Sequence, residues 1–189
     1  MRKNSVRILT ITALLIAMGV VIPMVMPRIV IGPASFTLAS HVPLFAAMFF
    51  SPKVAIAVAL GTAFGFVMTS PFIIALRALS HLIFAIIGAS YLQKNPEIVL
   101  SQKKFQIYNI WLGLIHSVVE MLVVVGFILA GNEVGTSYDG NILVFLFVFM
   151  GIGGWVHSII DYNLAMLVMK PLSKSFSIPV FTKAKDLEK

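Results

Sequence analysis

Cysteine is absent from this sequence and charged residues are scarce. Of 189 residues none is cysteine, 11% are charged and 59% are hydrophobic. The lack of cysteine excludes disulfides, thiol catalysis and cysteine-ligated metals. Soluble domains carry about 25% charged residues, so the few charges here argue against a soluble enzyme, a disordered protein and a nucleic-acid binder. An integral membrane protein remains.

A nucleotide-binding motif and a metalloprotease motif are also missing. There is no GxxxxGK[ST] loop, so the chain does not hydrolyse ATP by the usual P-loop route, and there is no HExxH metalloprotease motif. Any active transport must therefore draw its energy from a partner protein or from an ion gradient.

Long apolar runs dominate what is present, with a mean hydropathy of +1.01. They lack the alternating polarity of barrel strands, so we predict an all-α integral membrane protein with six transmembrane helices in one domain, residues 1–189. The first run is long for a signal peptide and is expected to be retained. The predicted spans are about 8–26, 36–50, 54–68, 72–92, 107–130 and 142–169.

The basic residues fall on one side of this topology. There are 14 lysines and arginines against 7 acidic residues, and the positive-inside rule places the N- and C-termini in the cytoplasm. The outer loops then hold only Arg28 among the basic residues, and Arg77 lies inside a span. The excess charge faces anionic lipid headgroups, so no nucleic-acid partner is needed. The predicted cytoplasmic set is Arg2, Lys3, Arg7, Lys53, Lys94, Lys103, Lys104, Lys170, Lys174, Lys183, Lys185 and Lys189.

Polar side chains persist inside the last three spans, where each charge costs about 2.5–3.5 kcal/mol near a helix centre. They occur in pairs four residues apart, so that each pair shares one helix face. We predict a polar cavity in the outer half of the bundle, with Asp161 serving a structural role beside His157. The pairs are Arg77 with His81, His116 with Glu120, and His157 with Asp161.

Two further features concern surfaces. The segment from Arg28 to Thr37 is apolar for an outer loop and is expected to act as a lid, through Ile31 and Phe36. Ala13 and Ala17 form a small-xxx-small face on the first span, which permits close helix approach. Gly61 and Gly65 repeat this spacing in the third span.

The six-span layout, the Ala13-x-x-x-Ala17 motif and the lid-like loop resemble the substrate-binding (S) components of energy-coupling factor (ECF) vitamin transporters. The resemblance covers residues 7–172. It implies a bacterial cytoplasmic membrane protein that is not an enzyme. It also implies that Ala13 and Ala17 dock on a transmembrane coupling protein, which two cytoplasmic ATPases drive. The vitamin would bind near the outer surface, between the first loop and helices four to six.

The block from Pro33 to Pro43, together with Arg77-Ala78-Leu79-Ser80-His81, looks most like the niacin-type members. Arg77 suits a carboxylate, and histidines and Trp155 suit a pyridine ring; pantothenate and hydroxymethylpyrimidine also remain open. The chain needs no cofactor or metal, because ATP is used by the partner ATPases. The site expected from this resemblance comprises Arg77, His81, His116, Glu120, Trp155 and His157.

Two other classes remain as alternatives. His81, His116 and His157, with Glu120 or Asp161, would suit an intramembrane metal enzyme with a histidine-rich zinc site. A stand-alone secondary transporter would need inverted repeats and helix breaks within spans. No repeat is visible, although the glycines at 151, 153 and 154 interrupt the sixth span.

Overall fold

The computed structural model describes residues 2–31, 34–132 and 141–187, apart from the side chains of residues 2–4 and 31. Gly32, Pro33 and Lys189 therefore lie outside the described residues, as do the side chains of Arg2, Lys3 and Ile31. In chain order the elements are α1 (Arg2–Val25), β1 (Arg28–Ile31), β2 (Ala34–Thr37), α2 (Val42–Met48), α3 (Pro52–Thr69), α4 (Phe72–Lys94), a 3-10 turn (Pro96–Leu100), α5 (Gln102–Leu129), α6 (Ile142–Val144), a π-helical segment (Phe145–Gly153), α7 (Gly154–Ser175) and α8 (Pro179–Asp186).

Five helical segments are long and apolar enough to cross a membrane: 5–25, 52–69, 72–94, 102–129 and 142–175. An α-helix rises about 1.5 Å per residue, so each of these at least approaches the roughly 30 Å of a hydrocarbon core. Large apolar side chains point outward along them, with Phe64 69% and Leu129 82% exposed. Such a surface suits lipid, and the chain is a multi-pass helical membrane protein.

The first and third helices run parallel. Ile16 of α1 packs on Gly61 of α3, and Val20 packs one turn further along on Gly65, at positions where a Cβ would collide. Because α1 and α3 point the same way, the chain that connects them must cross back through the bundle from the end of α1 to the start of α3. The glycine face predicted at 61 and 65 is therefore used for packing within the fold.

This return segment differs from the helix predicted at 36–50. Residues 34–37 pair antiparallel with 28–31, so that Ile31 faces Ala34 and Arg28 faces Thr37. A turn follows, in which Ala39 has a φ of 65°, and only then does the seven-residue α2 begin. The left-handed residue and the use of Pro43 to start α2 prevent a continuous helix.

Two other prolines lie within helices. Pro23 is inside α1, and Pro171 is inside α7, the final long helix. The glycine-rich stretch at 151–154 widens the helix into a π-helical segment instead of breaking it. Ser117 of α5 donates a hydrogen bond to the carbonyl oxygen of Gly151 in this segment.

Both ends of the described chain lie at the same end of the bundle. Arg7 of α1 donates a hydrogen bond to the carbonyl oxygen of Ser177, 3.3 Å away. Lys183 of α8 donates to the side chain of Gln93 near the end of α4. The amide of Val180 donates to the carbonyl oxygen of Phe49, so α8 covers the exit of α2. The cytoplasmic location of this end stays a prediction from charge.

The aromatic core surrounds α2, towards the end of the bundle where α8 lies. Phe45 stacks on Tyr162 of α7 with ring centroids 4.3 Å apart and planes 8° apart. Phe49 and Phe84 are also fully buried. This packing holds α2 rigidly, and therefore positions His41 at its N-terminal end.

Candidate ligand-binding cavity

A cavity of about 420 Å³ lies at the end of the bundle where α1 and α3 finish. The β1–β2 hairpin covers it, and polar side chains of four spans reach into it. Its wall is mixed, with apolar side chains beside charged and hydrogen-bonding groups. The polar lining residues are Arg28, Ser35, Thr37, Ser40, His41, Thr62, Ser70, Arg77, His81, Glu120 and His157.

Arg77 of α4 and Glu120 of α5 form the charged centre of this cavity. The Arg77 Nε donates to Glu120 Oε1 over 2.9 Å, and the side chains are 12% and 7% exposed. Charges this buried need a partner, because desolvation of an unpaired ion costs several kcal/mol. Of the Arg77 nitrogens, only Nε bonds to a described residue. Its terminal amino groups remain for an anion in the cavity.

A cluster of four histidines lies beside this ion pair. His41 is at its centre, with ring centroids 4.9 Å from His81, 4.7 Å from His116 and 5.1 Å from His157. His81 and His116 are themselves 4.8 Å apart. The rings come from the return segment, α4, α5 and α7, so tertiary packing alone brings them together.

Asp161 of α7 binds the turn that precedes α2. It accepts hydrogen bonds from the backbone amides of Ala39 and His41, each at 2.9 Å, and from His41 Nδ1 at 3.1 Å. Its side chain is completely buried. His157 lies 3.5 Å from it, as the i,i+4 spacing predicts. Asp161 is thus a structural anchor, and its main partner is the first loop.

Most of the predicted site residues converge. Arg77, His81, Glu120 and His157 line the cavity, whereas His116 is 2% exposed and lies behind His81 and His41. Phe36 lines the cavity from the hairpin and meets the His157 ring edge-on at 5.7 Å.

Trp155 does not line the cavity. Its indole N–H donates to the Ile110 carbonyl oxygen over 2.9 Å, and its ring lies against Gly113. It packs between α5 and α7 and is not among the residues that line the cavity. The reason is rotational: residues 155 and 157 are about 200° apart around an α-helix, so they do not face the same cavity.

Sequence reasoning missed the central place of His41. Nothing near it in the sequence reveals a bond to a residue 120 positions away. Arg28, noted only as an outer-loop charge, also lines the cavity. The adjacent Ser40, which lies 3.2 Å from a His157 nitrogen, has no recognisable motif either.

The fold and the cavity define a class: a helical membrane protein with a polar cavity at one end, lined by a nearly buried arginine. The chain is 49% identical over 188 residues to the niacin transporter NiaX of Lactococcus lactis subsp. cremoris (strain MG1363), a match covering 98% of this chain and 83% of the relative. The chain therefore belongs to this niacin transporter family, which confirms the predicted resemblance to niacin-type members. No family model and no solved structure matches.

Proposed function

We propose that this chain is the substrate-binding component of an ECF transporter that takes up niacin across the bacterial cytoplasmic membrane. Arg77, paired through Nε alone in a buried cavity, carries the proposal. The name of the 49% identical relative supports niacin as the vitamin. The chain acts as a binding protein and not as an enzyme.

The chemistry of nicotinate matches the cavity. Its carboxylate suits the terminal amino groups of Arg77, which form a planar, bidentate donor. Its pyridine ring suits the aromatic wall that Phe36 and His157 form together, because both rings line the cavity. The volume of about 420 Å³ accommodates a single-ring vitamin with room to spare. Glu120 holds the arginine through Nε, and His81 lies 3.5 Å from the same Glu120 oxygen.

The hairpin is the proposed lid. Phe36 on β2 lies over the cavity beside Gly153 of the π-helical segment, where any larger side chain would meet its ring. Opening of the hairpin would admit the vitamin, and closure would exclude water and strengthen the contact with Arg77.

Coupling to an energy source is proposed for the outer face of α1. Ala13 and Ala17 are exposed there, while Ile16 and Gly19 on another face pack against α3. A small-residue face that is free of contacts within the described chain suits the close approach of a transmembrane coupling protein. Two cytoplasmic ATPases would supply the energy, and the end of the bundle near Arg7 and Ser177 would face them.

Equilibrium dialysis of the purified protein with radiolabelled nicotinate tests this proposal. We expect saturable binding that excess unlabelled nicotinate competes and that nicotinamide, which lacks the carboxylate, competes far less. Arg77→Ala should weaken binding by about 2–5 kcal/mol, or about 30-fold or more. Arg7→Ala, at the opposite end, is the matched control.

Two outcomes would contradict the proposal. If nicotinamide competes as well as nicotinate, Arg77 is not a carboxylate clamp. If pantothenate or hydroxymethylpyrimidine binds more tightly than nicotinate, the assigned vitamin is wrong.

A further inference from the structure

Three imidazoles from three different elements meet below the cavity. One ring nitrogen of each of His41, His81 and His116 lies within 4.8 Å of the others. A tetrahedral zinc site with Zn–N bonds of about 2.1 Å holds its nitrogens about 3.4 Å apart. Small rotations of these rings would therefore bring the three nitrogens to coordination distance.

Hydrogen bonds to the outer nitrogens orient two of the rings. His41 Nδ1 lies 3.1 Å from Asp161 Oδ2, and His116 Nδ1 lies 3.0 Å from Ser158 Oγ. A carboxylate on Nδ1 requires the proton there, so the lone pair of His41 is left on Nε2. Metal-binding histidines commonly have this arrangement, in which a second hydrogen bond fixes the ring.

The inner nitrogens of His81 and His116 lack partners. Both Nε2 atoms are buried and have no hydrogen bond in the described part of the chain. The nearest carboxylate atoms, from Glu120, are 3.5 Å from His81 Nε2 and 4.0 Å from His116 Nε2. Buried polar atoms of this kind are rare and indicate an absent partner.

We propose that His41, His81 and His116 bind one first-row transition-metal dication, with Zn²⁺ as the reference ion. Imidazole nitrogen suits zinc, nickel, copper and iron, whereas calcium and magnesium prefer oxygen. Glu120, close to both unpartnered nitrogens, provides negative charge for the ion and is suited to be a fourth ligand.

The sequence led us to expect that the chain needs no metal, and the proposed site differs from that expectation. The three rings are not recognisable as a group in the sequence, because α2 and α3 lie between His41 and the helices that carry His81 and His116. The alternative grouping of His41, His157 and Asp161 also has its ligand atoms within 4.8 Å. In that grouping, however, His41 Nδ1 already bonds to Asp161 Oδ2 over 3.1 Å.

Titration with Co²⁺ in the absence of vitamin is the experiment. The full chain carries a non-histidine affinity tag, is stripped with EDTA and dialysed, and visible absorption reports tetrahedral cobalt. We expect one Co²⁺ per chain, displaced by Zn²⁺. His81→Gln and His116→Gln should each weaken affinity about 100-fold or more, beyond the roughly 10–100-fold of an outer hydrogen-bond partner.

Milder variants keep the test informative if a buried histidine variant does not fold. Ser158→Ala removes only the bond to His116 and should weaken affinity about 10-fold. Ser173→Ala, which removes a solvent-exposed bond to the Lys170 carbonyl oxygen on the same helix, should leave it unchanged. His157→Gln should retain the cobalt spectrum.

Absence of stoichiometric Co²⁺ in the wild-type protein would overturn the site. Loss of cobalt binding in His157→Gln together with its retention in His81→Gln would instead assign the ion to the other grouping. Nicotinate binding measured in EDTA tests the proposed function separately, so that the failure of one proposal does not affect the other.

Discussion

Replacement of Glu120 by glutamine separates the effect of this residue on nicotinate binding from its effect on protein stability. Glu120 balances the charge of Arg77 through a 2.9 Å ion pair, with both side chains nearly buried. A nicotinate carboxylate on the terminal amino groups of the same guanidinium would lie about 6 Å from it, given N–O distances of about 2.8 Å. Two carboxylates would then share one arginine, and they would repel each other.

The magnitude follows from this separation. Two unit charges about 6 Å apart at an effective dielectric constant of about 20 interact by about 3 kcal/mol. Glu120→Gln removes this repulsion and keeps an oxygen that accepts from Arg77 Nε. We therefore expect nicotinate to bind up to about 100-fold more tightly. Stability should change in the opposite direction, because loss of a buried ion partner costs about 3–5 kcal/mol.

Equilibrium dialysis measures the affinity, and tryptophan fluorescence during heating measures the stability. Glu97→Gln is the matched control, since Glu97 pairs with Lys104 at 3.8 Å on the surface with 39% of its side chain exposed. It should change neither quantity. Weaker nicotinate binding by a folded Glu120→Gln protein would refute the reasoning, because it would show that Glu120 contributes attraction to the bound ligand.

Two further changes test the loop anchor and the docking face. Asp161→Asn leaves His41 without its acceptor at Oδ2, so we expect about 1–3 kcal/mol of lost stability and at least tenfold weaker nicotinate binding; an unchanged melting temperature would contradict the anchor role. Replacement of both Ala13 and Ala17 by tryptophan should leave nicotinate binding within twofold of wild type and stop cellular uptake. Leu167→Trp, on exposed α7 surface, is the control that should still transport, and normal uptake by the double variant would exclude the docking face.

The long helices could be predicted from sequence because their signals are local. The spans predicted at 54–68 and 72–92 correspond to α3 (Pro52–Thr69) and α4 (Phe72–Lys94). Both are continuous apolar runs separated by Ser70 and Pro71, and proline after an extended residue favours a new helix start. The paired polar residues in the last three spans could be predicted as well, since four-residue spacing fixes a shared face.

The return segment at 36–50 could not be predicted, because its hydropathy resembles that of a short helix. Its conformation depends on distant groups: the amides of Ala39 and His41 bond to Asp161 instead of to carbonyls one turn earlier. A hydropathy average contains no information about such a bond. The π-helical segment, Phe145–Gly153, likewise changes the rotational phase before α7.

The strand and turn that precede α2 connect the lid of the cavity to the histidine cluster. Phe36 touches the ring of His157, and His41, five positions later, is bound to Asp161 one turn further along the same helix. A continuous helix from 36 to 41 would rise only about 8 Å and would direct its backbone amides to itself. The strand and turn instead leave these amides free for Asp161. The segment therefore joins Phe36, which lines the cavity beside His157, to His41, whose position Asp161 fixes.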